Sequence, residues 1–290
     1  MINHAQLRAF HAVAAQGSFT KAAAALNVTQ PTLSGQVKAL EERFGVKLFE
    51  RRGRGIEPTE LGRSLHEVTR RIFDLEGEAE GLLAAARGLK RGTLKLGADA
   101  PYHVIPLLAV FNRRHPGITV SVSFGNSQTV LAALREHHSD IAILPNIAAD
   151  ERVHTQAFHR ERVIAFVERS HAWAGRRTLR LQDLAEERLI LREPGSTTRA
   201  VLERALRAAN VTPTQVLEVG SREAVREAVA ARCGIGAIFE SEFGSDPRLH
   251  PLTIRGKGLE AVEYAACLKE RRDNPVVRAF LELLPELGPA

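Results

Sequence analysis

Residues 10–62 read FHAVAAQGSFTKAAAALNVTQPTLSGQVKALEERFGVKLFERRGRGIEPTELG, and this stretch decides how the chain is understood. Leu7, Phe10, Val13 and Ala14 share one face of a first helix, which Gln16-Gly17 ends. Ser18 is an N-cap for SFTKAAAALN, with Lys21 where a capping box would carry an acid, and Asn27 closes that helix. Thr29 caps a third helix, QPTLSGQVKALEERFG, whose Pro31 is tolerated in the first turn. Leu33, Val37, Leu40 and Phe44 are expected on its buried face. Gln30, Thr32, Ser34, Gly35 and Lys38 are left facing outward. VKLFERRGRGIEPT then reads as two short strands around a basic turn, Arg51 to Gly55.

Helix, tight turn, helix and basic hairpin make a winged helix-turn-helix. A helix start carrying Gln and Ser/Thr can bond base edges in a major groove. A wing carrying Arg52 and Arg54 can reach phosphates or a narrow minor groove. The plainer alternative is a small helical domain with a solvated polar face.

Composition fits a DNA partner without requiring one. The 290 residues carry a net charge of +6, and a surplus of four basic residues falls before Thr93. Two cysteines, Cys233 and Cys267, without CxxC spacing argue against a disulfide framework or a structural zinc site. The chain offers no long apolar run and no secretory leader pattern, so the expectation is a cytoplasmic protein with no membrane partner.

From Thr59, an N-cap, Leu61, Leu65, Val68, Ile72, Leu75, Ala79, Leu82, Ala86 and Leu89 recur at steps of four and three. That is a heptad seam, which favours a helix pair between two chains over packing on the protein's own body. RGLKRG, 87–92, is the hinge. Beyond it strands alternate with helices: TLKLGA, ITVSVSF, DIAILP, RVIAFVE, LILR, VLEV, IGAIF, HPLTI and VEYAACLK are expected strands. This is α/β with a mixed sheet, and its length suggests two Rossmann-like lobes around a cleft.

Several loops sit where a strand ends and a helix begins, where free backbone N–H groups hold anions. They are Asp99, Ala100, Tyr102 and His103; Asn126, Ser127, Gln128 and Thr129; Pro145 and Asn146; Ser196, Thr197 and Thr198 in EPGSTT; and Ser221. Each is also an ordinary capped helix. No P-loop, GxSxG elbow or HExxH is present, so no catalytic set, cofactor or metal ligand is assigned.

The motifs SFTKAAAAL, QPTLSGQVKALE, GVKLFER and TELG resemble those of the LysR-type transcriptional regulators. The resemblance implies a winged helix-turn-helix over 1–58, a linker and dimerisation helix over 59–91, and a two-lobed effector domain of periplasmic-binding-protein type over 92–290. Lobe I is expected at about 92–161 and 266–290, lobe II at about 162–265. It also implies a homo-oligomer, a dimer or a tetramer of two kinds of dimer, on double-stranded promoter DNA, with RNA polymerase as a further partner. Gln30, Pro31, Thr32, Ser34, Lys38, Arg52 and Arg54 become the DNA contacts. Asp99, Ala100, Tyr102, His103, Asn126, Ser127, Ser196, Thr197 and Thr198 become the effector contacts. Gly35 stands where many members carry Arg, which removes a phosphate or guanine contact. If Asp99 or Glu240 lines the cleft, either acid can pair with an ammonium group, and a zwitterion such as 2-aminoethylphosphonate fits; otherwise the ligand is a plain anion. The competing readings are a cytoplasmic solute receptor and an α/β enzyme.

Overall fold

The computed structural model describes residues 2–52, 55–85 and 92–287. They fall into two compact units that divide after Glu80. In the first, α1 (His4–Gln16), α2 (Phe19–Ala25) and α3 (Gln30–Phe44) precede a hairpin of β1 (Phe49–Arg52) and β2 (Gly55–Pro58) and the helix α4 (Glu60–Ala85). Gly17 ends α1 at φ 59°. The Ser18 hydroxyl accepts from Lys21 N, and Thr29 Oγ1 accepts from Thr32 N. Ala9, Val13, Ala22, Ala23, Leu33 and Val37 form the three-helix core, and Leu7, Phe10, Leu40 and Leu48 extend it.

Phe44 departs from its expected burial. It is 51% exposed and lies beside the Arg43 guanidinium, because α3 ends one residue later at Gly45. Leu48, just past the cap, fills the place that the periodicity assigned to Phe44.

The junction of α3, hairpin and α4 explains two of the motifs. Glu41 Oε1 accepts from Leu48 N at 2.7 Å, which starts the wing. Thr59 Oγ1 donates to Lys47 O and accepts from Gly62 N, capping α4. A Cβ on Gly62 would lie 2.1 Å from Leu48 O, so only glycine lets the helix start this close to the wing.

Helix α4 has two dissimilar faces. Leu65, Thr69, Phe73 and Glu76 turn toward α1. Thr69 is fully buried with its hydroxyl 3.1 Å from His11 Nδ1, Phe73 lies against His4 and His11, and Glu76 receives Arg8 and His4. Leu61, Val68, Ile72 and Leu75 are exposed, Leu75 at 62%. Leu65, counted in the heptad, belongs to the α1 side instead. Of the remaining heptad positions, Ala86 and Leu89 lie outside the described residues.

The second unit contains β3 (Gly92–Ala98), α5 (Pro101–Arg114), β4 (Ile118–Phe124), α6 (Ser127–Arg135), β5 (Ile141–Pro145), β6 (Val153–Glu168), β7 (Thr178–Arg180), β8 (Arg188–Arg192), α7 (Thr197–Ala208), β9 (Gln215–Val219), α8 (Arg222–Ala230), β10 (Ile235–Phe239), α9 (Glu240–Phe243), β11 (Leu249–Arg255), β12 (Glu260–Leu268) and α10 (Pro275–Leu281). The strand order is β4-β3-β5-β12-β6-β10-β8-β9, with β11 joining β6 to β7. Parallel pairs lie at both ends, and the antiparallel strands β6 and β12 run between them. The expected α/β fold with two lobes is borne out.

Lobe I packs Leu94, Leu96, Phe111, Ile143, Phe158 and Phe280 together. Lobe II packs Val163, Leu189, Val201, Leu202, Phe239 and Leu252. Strand β6 begins nine residues before the expected RVIAFVE. Its first half, VHTQAFHRE, buries only Val153, Phe158 and Glu161, so it carries too few apolar residues to read as a strand; its backbone pairs with β12.

Candidate functional site

The start of α3 is an exposed polar surface. Gln30, Pro31, Thr32 and Lys38 face solvent, and Ser34 is half-buried. Thr29 Oγ1 lies 2.8 Å from Thr32 Oγ1, which fixes that hydroxyl near the helix start. Lys38 Nζ is 3.4 Å from Glu42, an exposed pair that leaves the ammonium available to phosphate. A Cβ on Gly35 would meet nothing within 4 Å, so this face has space for a longer side chain. Arg52 is the last residue of β1, paired with Gly55 across the wing; Arg54 lies outside the described residues.

In the second unit, the loops from lobe I and lobe II meet. Asn126 Oδ1 accepts from Thr129 N and caps α6. The Thr197 hydroxyl donates to Ser127 Oγ at 2.8 Å, and Ser127 Oγ donates to Asp99 Oδ2 at 3.2 Å. Gln128 N donates to Gly195 O. Gly195 has φ 94°, and a Cβ there would lie 2.7 Å from Gln128 Oε1. The turn in EPGSTT therefore needs glycine for its backbone, and the Gln128 side chain of the opposite lobe lies close against it. Ser196 and Thr198 are buried, and Ser196, the N-cap of α7, makes no side-chain cap bond. Ala100 is buried, whereas Tyr102 is exposed.

Residues that the motifs did not single out occupy the middle of this cleft. Arg222, first in α8, forms a bidentate pair with Glu242 at 2.8 and 2.9 Å and donates to Asp99 O at 3.0 Å. Arg192, last in β8, grips Glu193 with two bonds of 2.7 Å. Arg192, Thr198, Arg222 and Glu242, with Val225, Ala237 and Ile238, line a cavity of about 10 Å³, room for one water at most. Glu240, the acid expected near the cleft, is exposed at the start of α9; its neighbour Glu242 is the buried one, 3% exposed.

The cleft is crowded with carboxyls. Burial, then the charge of Glu242, pushes Asp99 up to about 7 against the opposing pull of Arg222, Ser127 and His103. Burial also raises Glu242, although Arg222 opposes it. Glu263, on β12, is raised well above the usual range by burial and then by Asp99, Glu161 and Glu242. Glu161, on β6, behaves oppositely: burial raises it, but His103, Ser241 and His159 outweigh burial and hold it below its usual range. His103, first turn of α5, has Nε2 2.6 Å from Glu161 Oε1 and 3.3 Å from Ser241 Oγ. Cys267 is buried in lobe I and its thiol is pushed up to about 11, chiefly by that burial; Cys233 is half-buried.

This arrangement suits binding of a small anion. Two largely enclosed guanidinium groups, a threonine hydroxyl and a helix start without a side-chain cap converge. Arg192 and Arg222 could have been suspected from their places, the last residue of a strand and the first of a helix. The partner Glu242 could not, since α9 is too short to reveal a facing from periodicity.

Comparison with known proteins agrees with both halves. Residues 4–63 match the family model described as bacterial regulatory helix-turn-helix protein, lysR family, and residues 87–288 match the LysR substrate binding domain. The transcriptional activator CmpR of Synechocystis is 31% identical over 96% of this chain and 93% of its own. A RuBisCO operon transcriptional regulator of Allochromatium vinosum is 31% identical over 96% and 94%. Among solved structures, full-length CbnR complexed with its target DNA superposes with a TM-score of 0.72 at 26% identity, covering 98% of this chain and 99% of that one. The regulatory domain of Synechocystis CcmR in complex with 2-PG gives 0.63 at 26% identity, over 69% of this chain and all of that one. No described helix is long and apolar enough to cross a membrane.

Proposed function

The chain belongs to the LysR family of bacterial helix-turn-helix regulators, a DNA-binding regulator with an effector-binding domain and not an enzyme, and from that premise we propose how its parts divide the work. The exposed start of α3, through Gln30, Pro31, Thr32, Ser34 and Lys38, reads promoter DNA, and Arg52, together with Arg54 of the basic turn expected from the sequence, holds phosphates. The solvent-facing residues Leu61, Val68, Ile72 and Leu75 on α4 pair two copies of the chain. In that reading the protein works in the cytoplasm, on promoter DNA and alongside RNA polymerase. Leu75→Glu is expected to give monomers in sedimentation with the fold retained; an unchanged oligomer would remove α4 from the interface.

The effector of this reading is a compact anion bearing phosphate or carboxylate groups. The observation that carries it is the pair Arg192 and Arg222, each tied to the protein's own carboxylate beside Thr198. An anion entering the cleft exchanges with Glu193 or Glu242, and the lobes separate to admit it, since the cavity holds no more than a water. Asp99, with a carboxyl titrating near 7, can donate a hydrogen bond to an anionic oxygen. The 2-aminoethylphosphonate reading loses support. Asp99 does face the cleft, but burial and Glu242 raise its carboxyl to about 7, which makes it a weak partner for an ammonium group. Glu240 is exposed, Glu242 is taken by Arg222, and one relative is a RuBisCO operon regulator while CcmR was solved with 2-PG.

Calorimetry with 2-PG, inorganic phosphate and 2-aminoethylphosphonate tests this. Binding of 2-PG at least tenfold tighter than the other two is expected, with Thr198→Val weakening it and leaving the promoter mobility shift intact. Equal weak binding of all three would sink the effector class while leaving the DNA reading in place.

A further inference from the structure

His103, His159 and Glu161 form a second cluster in the effector unit, and we propose that it is a binding site for a transition-metal ion such as Zn²⁺ or Co²⁺. His103 comes from the first turn of α5. His159 and Glu161 lie two residues apart on β6, so both side chains leave the strand on the same face. One nitrogen from each imidazole and a carboxylate oxygen all fall within 4.8 Å of one another. Glu161 Oε1 is the point of convergence: His103 Nε2 is 2.6 Å away and His159 Nε2 3.3 Å away.

The second observation is that this oxygen is buried and has no aligned hydrogen-bond donor, despite two imidazole nitrogens beside it. The Glu161 side chain is 2% exposed and its charge is met by the two imidazoles and Ser241, and at Oε1 a shared cation would meet it better than two poorly aligned N–H groups. The rings are held in place. The His103 ring lies tilted against His159 at 4.9 Å and edge-to-face with Phe158 at 6.1 Å.

Two imidazoles and one carboxylate suit Zn²⁺, Co²⁺, Ni²⁺ or Fe²⁺ and leave a fourth position open. In a tetrahedral site, neighbouring ligand atoms stand about 3.4 Å apart. The His159 contact already has that length, and the His103 contact would lengthen by about 0.8 Å. His159 is 45% exposed, which gives the ion a route from solvent. A bound ion ties the start of α5, in lobe I, to β6, the strand that continues into lobe II. It therefore acts on the lobes through side chains other than Arg192 and Arg222, at the edge of the same carboxyl-rich cleft.

Titration of the metal-free, full-length protein with ZnCl₂ by calorimetry, and with CoCl₂ by visible absorption, tests the site. The expected result is one ion per chain with micromolar or tighter Kd and the intense bands of four-coordinate Co²⁺. His159→Ala should weaken binding at least tenfold with an unchanged circular dichroism spectrum, since that side chain is half-exposed. His103→Ala and Glu161→Gln should do the same wherever they fold. His138→Ala and His171→Ala, at surface histidines that also face carboxylates, should change nothing. Binding only at millimolar metal would overturn the proposal. So would full binding by His159→Ala, or loss of the ion on changing His138 or His171.

Discussion

Two helix starts offer their free N–H groups in opposite settings. The start of α3 is exposed, and Thr29 caps it by accepting from Thr32 N. The start of α7 is buried, its N-cap Ser196 makes no side-chain cap bond, and two arginines near it are already paired with carboxylates. The first geometry fits a partner too large to enclose, whose charge is met at the surface by many weak contacts that salt screens. The second fits a ligand small enough to surround, whose charge replaces one already desolvated. Burial is the difference, and it sets how strongly each end answers a mutation.

The largest effect is expected at the enclosed end. Arg222→Ala leaves Glu242 buried without its partner, which costs about 3–5 kcal/mol. Thermal unfolding should show a drop of many degrees, and a change within a degree would mean that the cleft charges are better solvated than their burial implies. Asp99→Asn comes next. The folded carboxyl titrates near 7 and the unfolded one near its ordinary 3.8, so the folded state holds the proton more tightly. That stabilisation is complete below about pH 4 and lost as the pH rises to 7. The amide of the Asp99→Asn variant is neutral throughout. The variant should therefore gain roughly 2 kcal/mol on the wild type between pH 5 and 7 in urea titrations, with Glu242, Arg222, Ser127 and His103 as the facing groups. A parallel pH dependence of the two proteins would contradict the assignment.

The exposed end should respond more gently. Thr29→Ala removes one cap bond and should cost about 1 kcal/mol, visible as a modest fall in the midpoint of unfolding. Gly35→Arg adds a cation where nothing lies within 4 Å. Stability should hardly move, while the logarithmic salt slope of DNA binding should steepen by about 0.9. An unchanged slope would place Gly35 away from the DNA.

The first unit is readable because its signals are local. Gly17-Ser18 and Thr29 are punctuation written within three residues of what they cap. Phe44 escapes that reading because periodicity does not say where a helix stops contributing to a core. The cleft is half readable. Helix starts such as Ser127 and Thr197 are visible as caps, but their direct bond joins residues seventy apart. Arg222 and Glu242 are separated by twenty residues and an intervening strand, and no spacing rule links them. The same holds for His103 with Glu161, and β6 is half hidden because its charged stretch HRER interrupts the apolar alternation.

The two long strands constrain how such a domain can be recombined. Phe158 of β6 and Ala265 and Cys267 of β12 are in the core of lobe I, whereas Val163, Ala165 and Val167 of β6 and Ala261 of β12 are in that of lobe II. A chimera that exchanges one lobe with a relative must therefore splice inside both strands, between Phe158 and Val163 and between Ala261 and Ala265. A cut at any neighbouring loop would carry off a strand whose side chains the other lobe needs. A lobe exchanged in this way is thus bounded by the middles of strands, where β12 also shifts register against β6 at Glu263 and Tyr264.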